Sequence, residues 1–354
     1  MKKSICLISL ALFALVSCNN DSVIQSNQGS KIEFRTSMDT RAMELQQANF
    51  TEFYVTALYA DGSIYFADKF VRNGSYFESA TDYYWPADGK LTFFAYYPSE
   101  EALGANVNIS NEAKVIPDFT PAAKVVEQLD FVTAVKIAGK EDAAAGVALD
   151  FSHQHSQIEI KGKNTNAGHT VKVKAIRIKN VAGSGDFDFV GAMTNWSQSD
   201  ELTSYEIVYN EAVTLGAATQ TLMGSEGNAM LIPQSRPAWG VAANIDGEEA
   251  TTDPNGSYIA FLIQATTESG SRIFPVNGEE YGWVAHPIGF NWAAGYKYTY
   301  NCDFSEGLGI IAPEGDDDDI YNEGDSVVGS EITVDVSYYS FTTDYNESYN
   351  DLDM

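Results

Sequence analysis

Almost every apolar segment of this chain beyond residue 18 is short, rich in Val, Ile, Tyr, Phe and Thr, and bounded by Gly, Asn or Asp. Side chains on a strand alternate between faces, and β-branched and aromatic residues suit a pleated, half-buried surface, so such segments are read as strands. The fold class expected is all-β. Strands are expected at 31–36, 53–59, 64–71, 76–79, 91–97 and 129–137, with turns at Asp61-Gly62, Asn73-Gly74 and Asp88-Gly89.

The stretch 138–146 is soft in Gly, Ala and acidic residues and has no apolar period, so it reads as a linker. Beyond it a second set of strands is expected at 148–161, 171–179, 205–209, 229–232, 258–265, 272–276 and 296–304. Val171 and Val173 are out of phase with Ile176 and Ile178, which a bulge near Lys174-Ala175 would reconcile. Two groups of short strands suggest two antiparallel sandwiches in tandem, at 42–143 and 144–305, with 306–354 as a C-terminal extension. No internal repeat is visible, which argues against solenoids and propellers.

The first residues have the character of an export leader. Lys2 and Lys3 precede an apolar run from Ile5 to Val16 that is too short for a membrane span, and the run ends in Leu15-Val16-Ser17-Cys18. A small residue before Cys is what lipoprotein signal peptidase needs, so residues 1–17 are expected to be a signal peptide and Cys18 the lipidated residue. Of the three cysteines, Cys6 would leave with the leader and Cys18 would carry lipid. Cys302 is then the last thiol, and stability must come from a hydrophobic core rather than a disulfide. No later apolar run reaches spanning length, so any membrane attachment would be through the lipid.

The formal charge of −28 repels polyanions, so nucleic acid is not an expected partner. Lys161, Lys163, Lys172, Lys174, Arg177 and Lys179 concentrate positive charge in mid-chain, in a pattern that fits the solvated face of strands better than an anion-binding patch.

Several patches of sequence carry a family likeness. Tyr83-Tyr84-Trp85-Pro86 is followed by Leu91-Thr92-Phe93-Phe94-Ala95-Tyr96-Tyr97-Pro98, then Asp130-Phe131-Val132-Thr133-Ala134. Leu149-Asp150-Phe151-Ser152-His153-Gln154-His155-Ser156-Gln157-Ile158 and Trp292-Ala293-Ala294-Gly295-Tyr296-Lys297-Tyr298-Thr299-Tyr300 complete the series. In order and spacing, over about residues 30–305, the chain resembles the fimbrillin family of Bacteroides-type fimbriae. The resemblance implies tandem transthyretin-like sandwiches, export as an outer-membrane lipoprotein precursor, and assembly into a cell-surface fimbria by strand exchange between subunits. It also implies cleavage at Arg41-Ala42 by an arginine-specific surface protease. That cut would remove the lipidated segment 18–41 together with a first strand carrying Ile32 and Phe34.

Losing that strand would leave unpaired backbone groups and empty apolar slots. A replacement is available at 331–338, where Ile332, Val334 and Val336 alternate with polar residues. Donor-strand complementation in pilins is a general mode of β-augmentation, so this segment is the candidate donor. The run Asp316-Asp317-Asp318-Asp319, with Glu323 and Asp325, reads as a self-repelling tether between core and donor. A stalk subunit must both receive and donate a strand, a tip only receives, and an anchor keeps its lipid; both ends look equipped, so a stalk or tip role is expected, with stalk favoured. The partners implied are other fimbrial subunits, the protease, and a host or bacterial surface ligand.

Catalytic, metal and cofactor sites are not expected. His153 and His155 share a strand face but lack a third ligand, and the acidic run lacks the spacing of a calcium loop. Glu248-Glu249 and Glu279-Glu280 are adjacent pairs, which point to opposite faces of a strand and suit solvated loops better than a glycosidase pair. No nucleophile elbow, phosphate loop or His-Glu-x-x-His motif occurs, and Cys302 reads as a buried small hydrophobe. Trp85, Trp196, Trp239, Trp283 and Trp292 keep open an alternative, a surface glycan-binding lipoprotein, with a carboxylate-driven glycan hydrolase behind it.

Overall fold

In a computed structural model of the chain, residues 30–38, 45–190, 195–224, 227–240, 253–313, 327 and 332–340 are described. The chain is nearly all β, as its alternation implies. It opens with β1 (Phe34–Met38), β2 (Glu52–Leu58), β3 (Ile64–Asn73), β4 (Tyr76–Ser79) and β5 (Lys90–Tyr97). The hairpins between them turn where expected. Gly62 and Gly74 hold positive φ (84° and 62°), a conformation that a side chain disfavours, and the Asp61 carboxylate caps the first turn through the Ser63 N–H (2.9 Å).

After β5 the chain makes an excursion, β6 (Asn108–Ile109) and β7 (Lys114–Phe119), before returning as β8 (Val132–Gly139) and β9 (Val147–His153). Hydrogen bonding runs β1-β4-β3-β2-β5-β8-β9 and closes on itself, because β1 pairs antiparallel with β4 and parallel with β9. The N-terminal unit is thus a closed ring, and closure removes the open edges a sheet would expose. Its interior is aromatic: Phe34, Phe50, Phe53, Phe70, Phe77 and Phe93 are buried together. The segment 45–50 plugs one end, held by Arg72, which donates to the carbonyls of Gln47 (2.8 Å) and Phe50 (3.0 Å) and lies over Phe77.

The expected strand 148–161 is two strands. It breaks at Gln154-His155, where β9 ends and β10 (Ser156–Lys163) begins in a different sheet. The first unit therefore extends to His153, past the expected division at 143–144. The reason is pairing: Val147, Leu149 and Phe151 complete the ring core against β1.

The second unit continues with β11 (His169–Ala182), β12 (Gly185–Asp188), β13 (Trp196–Gln198), β14 (Leu202–Thr214), β15 (Gln220–Thr221), β16 (Ala229–Leu231), β17 (Gln234–Arg236), β18 (Tyr258–Thr267), β19 (Arg272–Phe274), β20 (Gly282–Pro287), β21 (Phe290–Trp292), β22 (Tyr296–Asp303), β23 (Ile310–Ile311) and β24 (Thr333–Ser340). Two of its sheets face each other. One runs β15-β10-β22-β24 with β16 beside β10, and the other runs β14-β11-β18-β20-β23 with β19 beside β18. Between them lie Ile158, Ile160, Tyr298 and Tyr300 from one side and Val171, Val173, Ile176, Phe261 and Ile263 from the other. The bulge expected near Lys174-Ala175 is present as a register shift between Val173 and Ala175. One pairing, β10 with β22, is parallel, as is β1 with β9, so the sheets are not uniformly antiparallel.

A small four-stranded sheet, β13-β12-β7-β6, joins the two units, since β7 comes from the first and β12 and β13 from the second. No strand was expected at 114–119, 185–188 or 196–198. The sheet lays Ile116, Phe119, Phe187 and Trp196 on the outward faces of Leu58 and Phe94 in the ring, with Phe131 between. His155 is packed into this seam beside Phe119 (5.2 Å), Phe131 (5.8 Å) and Trp196 (5.8 Å). Its burial pulls the imidazole down to about 3 from an ordinary 6.5.

An imidazole kept neutral when folded but protonated when unfolded weakens folding as pH falls below 6.5, down to the folded value near 3. This site should raise the unfolding constant by up to about tenfold per pH unit across that window. Urea denaturation followed by tryptophan fluorescence at several pH values should show the slope, and His155→Phe should remove about one proton from it. An identical slope in the variant would contradict the assignment.

Candidate functional site: the first and last strands

Ile32 and Phe34 are both fully buried. Phe34 meets the edges of Phe70 (4.7 Å), Phe93 (5.2 Å) and Phe53 (5.9 Å), which puts its ring at the centre of the N-terminal core. Alternation selects the face: Ile32, Phe34 and Met38 point inward, while Arg35 and Ser37 are exposed. Apolar burial of this kind is worth about 1.5–3 kcal/mol for each large side chain.

Backbone contacts fix the strand on both sides. Phe34 through Met38 pair with Val147 through Phe151, Phe34 also pairs with Phe77, and the Ile32 N–H donates to the Tyr83 carbonyl (2.8 Å). The Lys31 ammonium bridges Asp82 (2.9 Å) and Glu78 (3.1 Å), and the hydrogen bond to Asp82 is the main cause that raises its pKa. Gln47 donates to the Thr36 hydroxyl (2.9 Å). Taking this segment away would open the ring between β4 and β9.

The last strand does not lie outside the second unit, as the alternating segment beyond Phe304 suggested. β24 pairs antiparallel with β22 over its whole length, from Thr333 opposite Asp303 to Ser340 opposite Tyr296. Ile332 is buried in the second core, and Val334, Val336 and Tyr338 pack against it on the same side as Cys302, Tyr300 and Tyr298. The Tyr298 and Tyr338 rings stack at 5.8 Å, and burial pushes the Tyr298 hydroxyl up to about 12. The physical reason is β22: without β24, its edge would present unpaired backbone groups and a half-open core. Among the described residues only β22 flanks β24, which makes β24 an edge strand there, while β1 has neighbours on both sides.

The remaining candidates are scattered. Cys18, Arg41, Ala42, Glu248-Glu249 and the acidic run at 316–319 fall outside the described residues. The His153 Nδ1–H donates to the Asp130 carboxylate (3.0 Å), both groups being buried, and His155 points into the aromatic seam instead. Among the described residues no cluster of His, Cys, Asp or Glu has the makings of a metal site. Cys302 is buried and its thiol is pushed up by that burial. Lys161 and Lys163 pair with Glu159 and Asp303 on one sheet, whereas Arg177 pairs with Glu206 and covers Trp283 on the other, so the mid-chain cations do not form one patch. Sequence reasoning missed the parallel partner of β1; the alternation of Val147, Leu149 and Phe151 was its only visible sign.

The model of the family described as fimbrillin-like matches residues 40–317, more than half of the chain. The chain belongs to the fimbrillin-like family. This makes the fimbrillin-like chain a structural, fimbria- or adhesion-related protein of the cell surface. No curated protein matches it. Among solved structures it is similar to a candidate cell adhesion protein of Bacteroides ovatus (15% identity, 89% of this chain and 99% of that one, TM-score 0.46). It is also similar to one of Parabacteroides distasonis (8% identity, 90% and 99%, TM-score 0.47) and to the fimbrial anchor protein Mfa2 of Porphyromonas gingivalis (11%, 77% and 90%, TM-score 0.33). Among the described residues no helix is long and apolar enough to cross a membrane.

The docking of β24 makes Val334 part of the folded fimbrillin-like chain. Val334→Asp puts a carboxylate opposite Cys302 at the core margin and should lower stability by about 1–3 kcal/mol. A reduced denaturant midpoint of the isolated chain is the expected result, and an unchanged midpoint would contradict the docking.

Proposed function

We propose that this protein is a stalk-type subunit of a surface fimbria, exported as a lipoprotein through Cys18, released by cleavage after Arg41, and polymerised by donor-strand exchange. The observation that carries this reading is the position of β1. It lies between the expected lipid anchor and the expected cut, and it closes the ring by standing between β4 and β9. Cleavage would therefore release the anchor and open the acceptor groove in one event.

The vacated groove has two rows of unpaired backbone and apolar slots shaped by Phe53, Phe70, Phe77 and Phe93. β24 of a second subunit has the matching character. Its Ile332, Val334, Val336 and Tyr338 share one face at every second position, as Ile32, Phe34, Thr36 and Met38 do in β1. On an edge, β24 gives up one ladder when it leaves β22 and gains two between β4 and β9, which favours exchange. On this reading the chain between β23 and β24 would supply the reach.

The partners on this reading are other fimbrial subunits and an arginine-specific surface protease. Arg41→Ala should leave a lipidated chain that does not polymerise, and N-terminal sequencing of fibres from the parent strain should begin at Ala42; fibres that start at Cys18 would overturn the role of Arg41. Cys18→Ala should abolish incorporation of a radiolabelled fatty acid and hold the precursor in the periplasm or inner membrane. Label that persists in this variant would rule out the lipoprotein assignment.

A further inference from the structure

Near the junction of the two units the surface holds a cleft of about 530 Å³. It is built from segments far apart in sequence: the β9–β10 break at Gln154, β13 with Asn195 just before it and Gln198 at its end, the start of β17 at Gln234, and β21 at Asn291 with the turn that follows it. A second depression of about 550 Å³ adjoins it and shares Ser235 and Asn291 with it.

The lining has a chemical bias. One residue in five of this chain is charged, yet none of the residues around the first cleft is. Five of them carry amides, and Trp196 and Trp292 form part of the wall. The inner amides are held rigidly. Gln234 accepts from the Ala182 N–H (2.6 Å) and donates to the Ile232 carbonyl (3.0 Å), and the Gln154 amide donates to the Thr133 hydroxyl (2.9 Å) while the backbone carbonyl of Gln154 takes the Trp196 indole N–H (2.7 Å). Gln198 is tethered by one bond, from its amide nitrogen to the Pro233 carbonyl (2.8 Å), which leaves its side-chain oxygen available as an acceptor. Among the described residues the Asn291 amide is engaged by none, and both Gln198 and Asn291 are exposed.

We propose that this cleft binds an uncharged oligosaccharide, with Gln198 and Asn291 as the amides that hydrogen-bond its hydroxyls. An amide offers a donor pair and an acceptor side by side, which matches vicinal hydroxyls, and a site without charges imposes no desolvation cost for an unpaired ion on a neutral ligand. An anionic glycan would meet no cation in the first cleft and the repulsion of a strongly acidic chain. The cleft lies in walls that are already bonded before any ligand arrives, so little ordering accompanies binding. This inference is independent of cleavage and strand exchange, because none of the lining residues belongs to β1 or β24.

The test uses the full mature chain and isothermal titration with maltohexaose, cellohexaose, mannohexaose and xylohexaose, with polygalacturonate as the anionic control. At least one neutral hexasaccharide should bind saturably, and polygalacturonate should not. Gln198→Ala and Asn291→Ala should each weaken binding by about tenfold, the loss of roughly one hydrogen bond, at an unchanged melting temperature. Asn291→Asp, which keeps the shape and adds a charge, should weaken it as well. Failure of all four neutral sugars to bind at millimolar concentration, binding that both alanine variants retain in full, or preferential binding of polygalacturonate would each overturn the proposal.

Discussion

The ring of the N-terminal unit depends on one strand that sits near the chain's beginning. β1 supplies both missing ladders, to β4 and β9, and its Phe34 fills the middle of the aromatic core. Every other ring strand follows a chain-order neighbour or returns after a short excursion. A β-ring with one strand removed regains two edges at once, so the same closure that stabilises the whole chain makes this position the most reactive when it is vacated.

The opposite end of the chain has the complementary property. β24 rests on β22 by one ladder, its inward side chains only partly buried beyond Ile332. An edge strand with one neighbour is cheaper to displace than an inner strand with two, because fewer backbone bonds and less apolar area must be given up. The two terminal strands thus share a side-chain period and differ in how firmly they are held. That difference gives a direction to any exchange between subunits.

Between these ends the units are clamped rather than merely linked. The small sheet draws β7 from one unit and β12 and β13 from the other, and its aromatic face buries Phe131 and His155. A strand ladder across a junction resists hinge motion better than a soft linker does. The amide-lined cleft lies at its margin, between the β9–β10 break at Gln154 and the segments that carry Trp196, Gln234 and Trp292.

Much of the local structure could be read from residues alone. Asp61-Gly62 and Asn73-Gly74 marked the hairpins, Ile32 and Phe34 marked an inward face, and the phase break at Lys174-Ala175 marked a bulge. These follow from covalent chemistry that acts over a few residues: glycine's access to positive φ and the two-residue period of a strand. The period tells which face a side chain takes but not which strand lies beside it, and here tertiary structure decided. It set β9 parallel to β1 instead of at the head of the second unit, seated β24 on β22 instead of outside the fold, paired β7 with β12 across the junction, and turned His153 to Asp130 and His155 into the seam. Each of those outcomes is a contest between distant segments for the same backbone donors, acceptors and apolar slots, and only the complete set of competitors determines the winner.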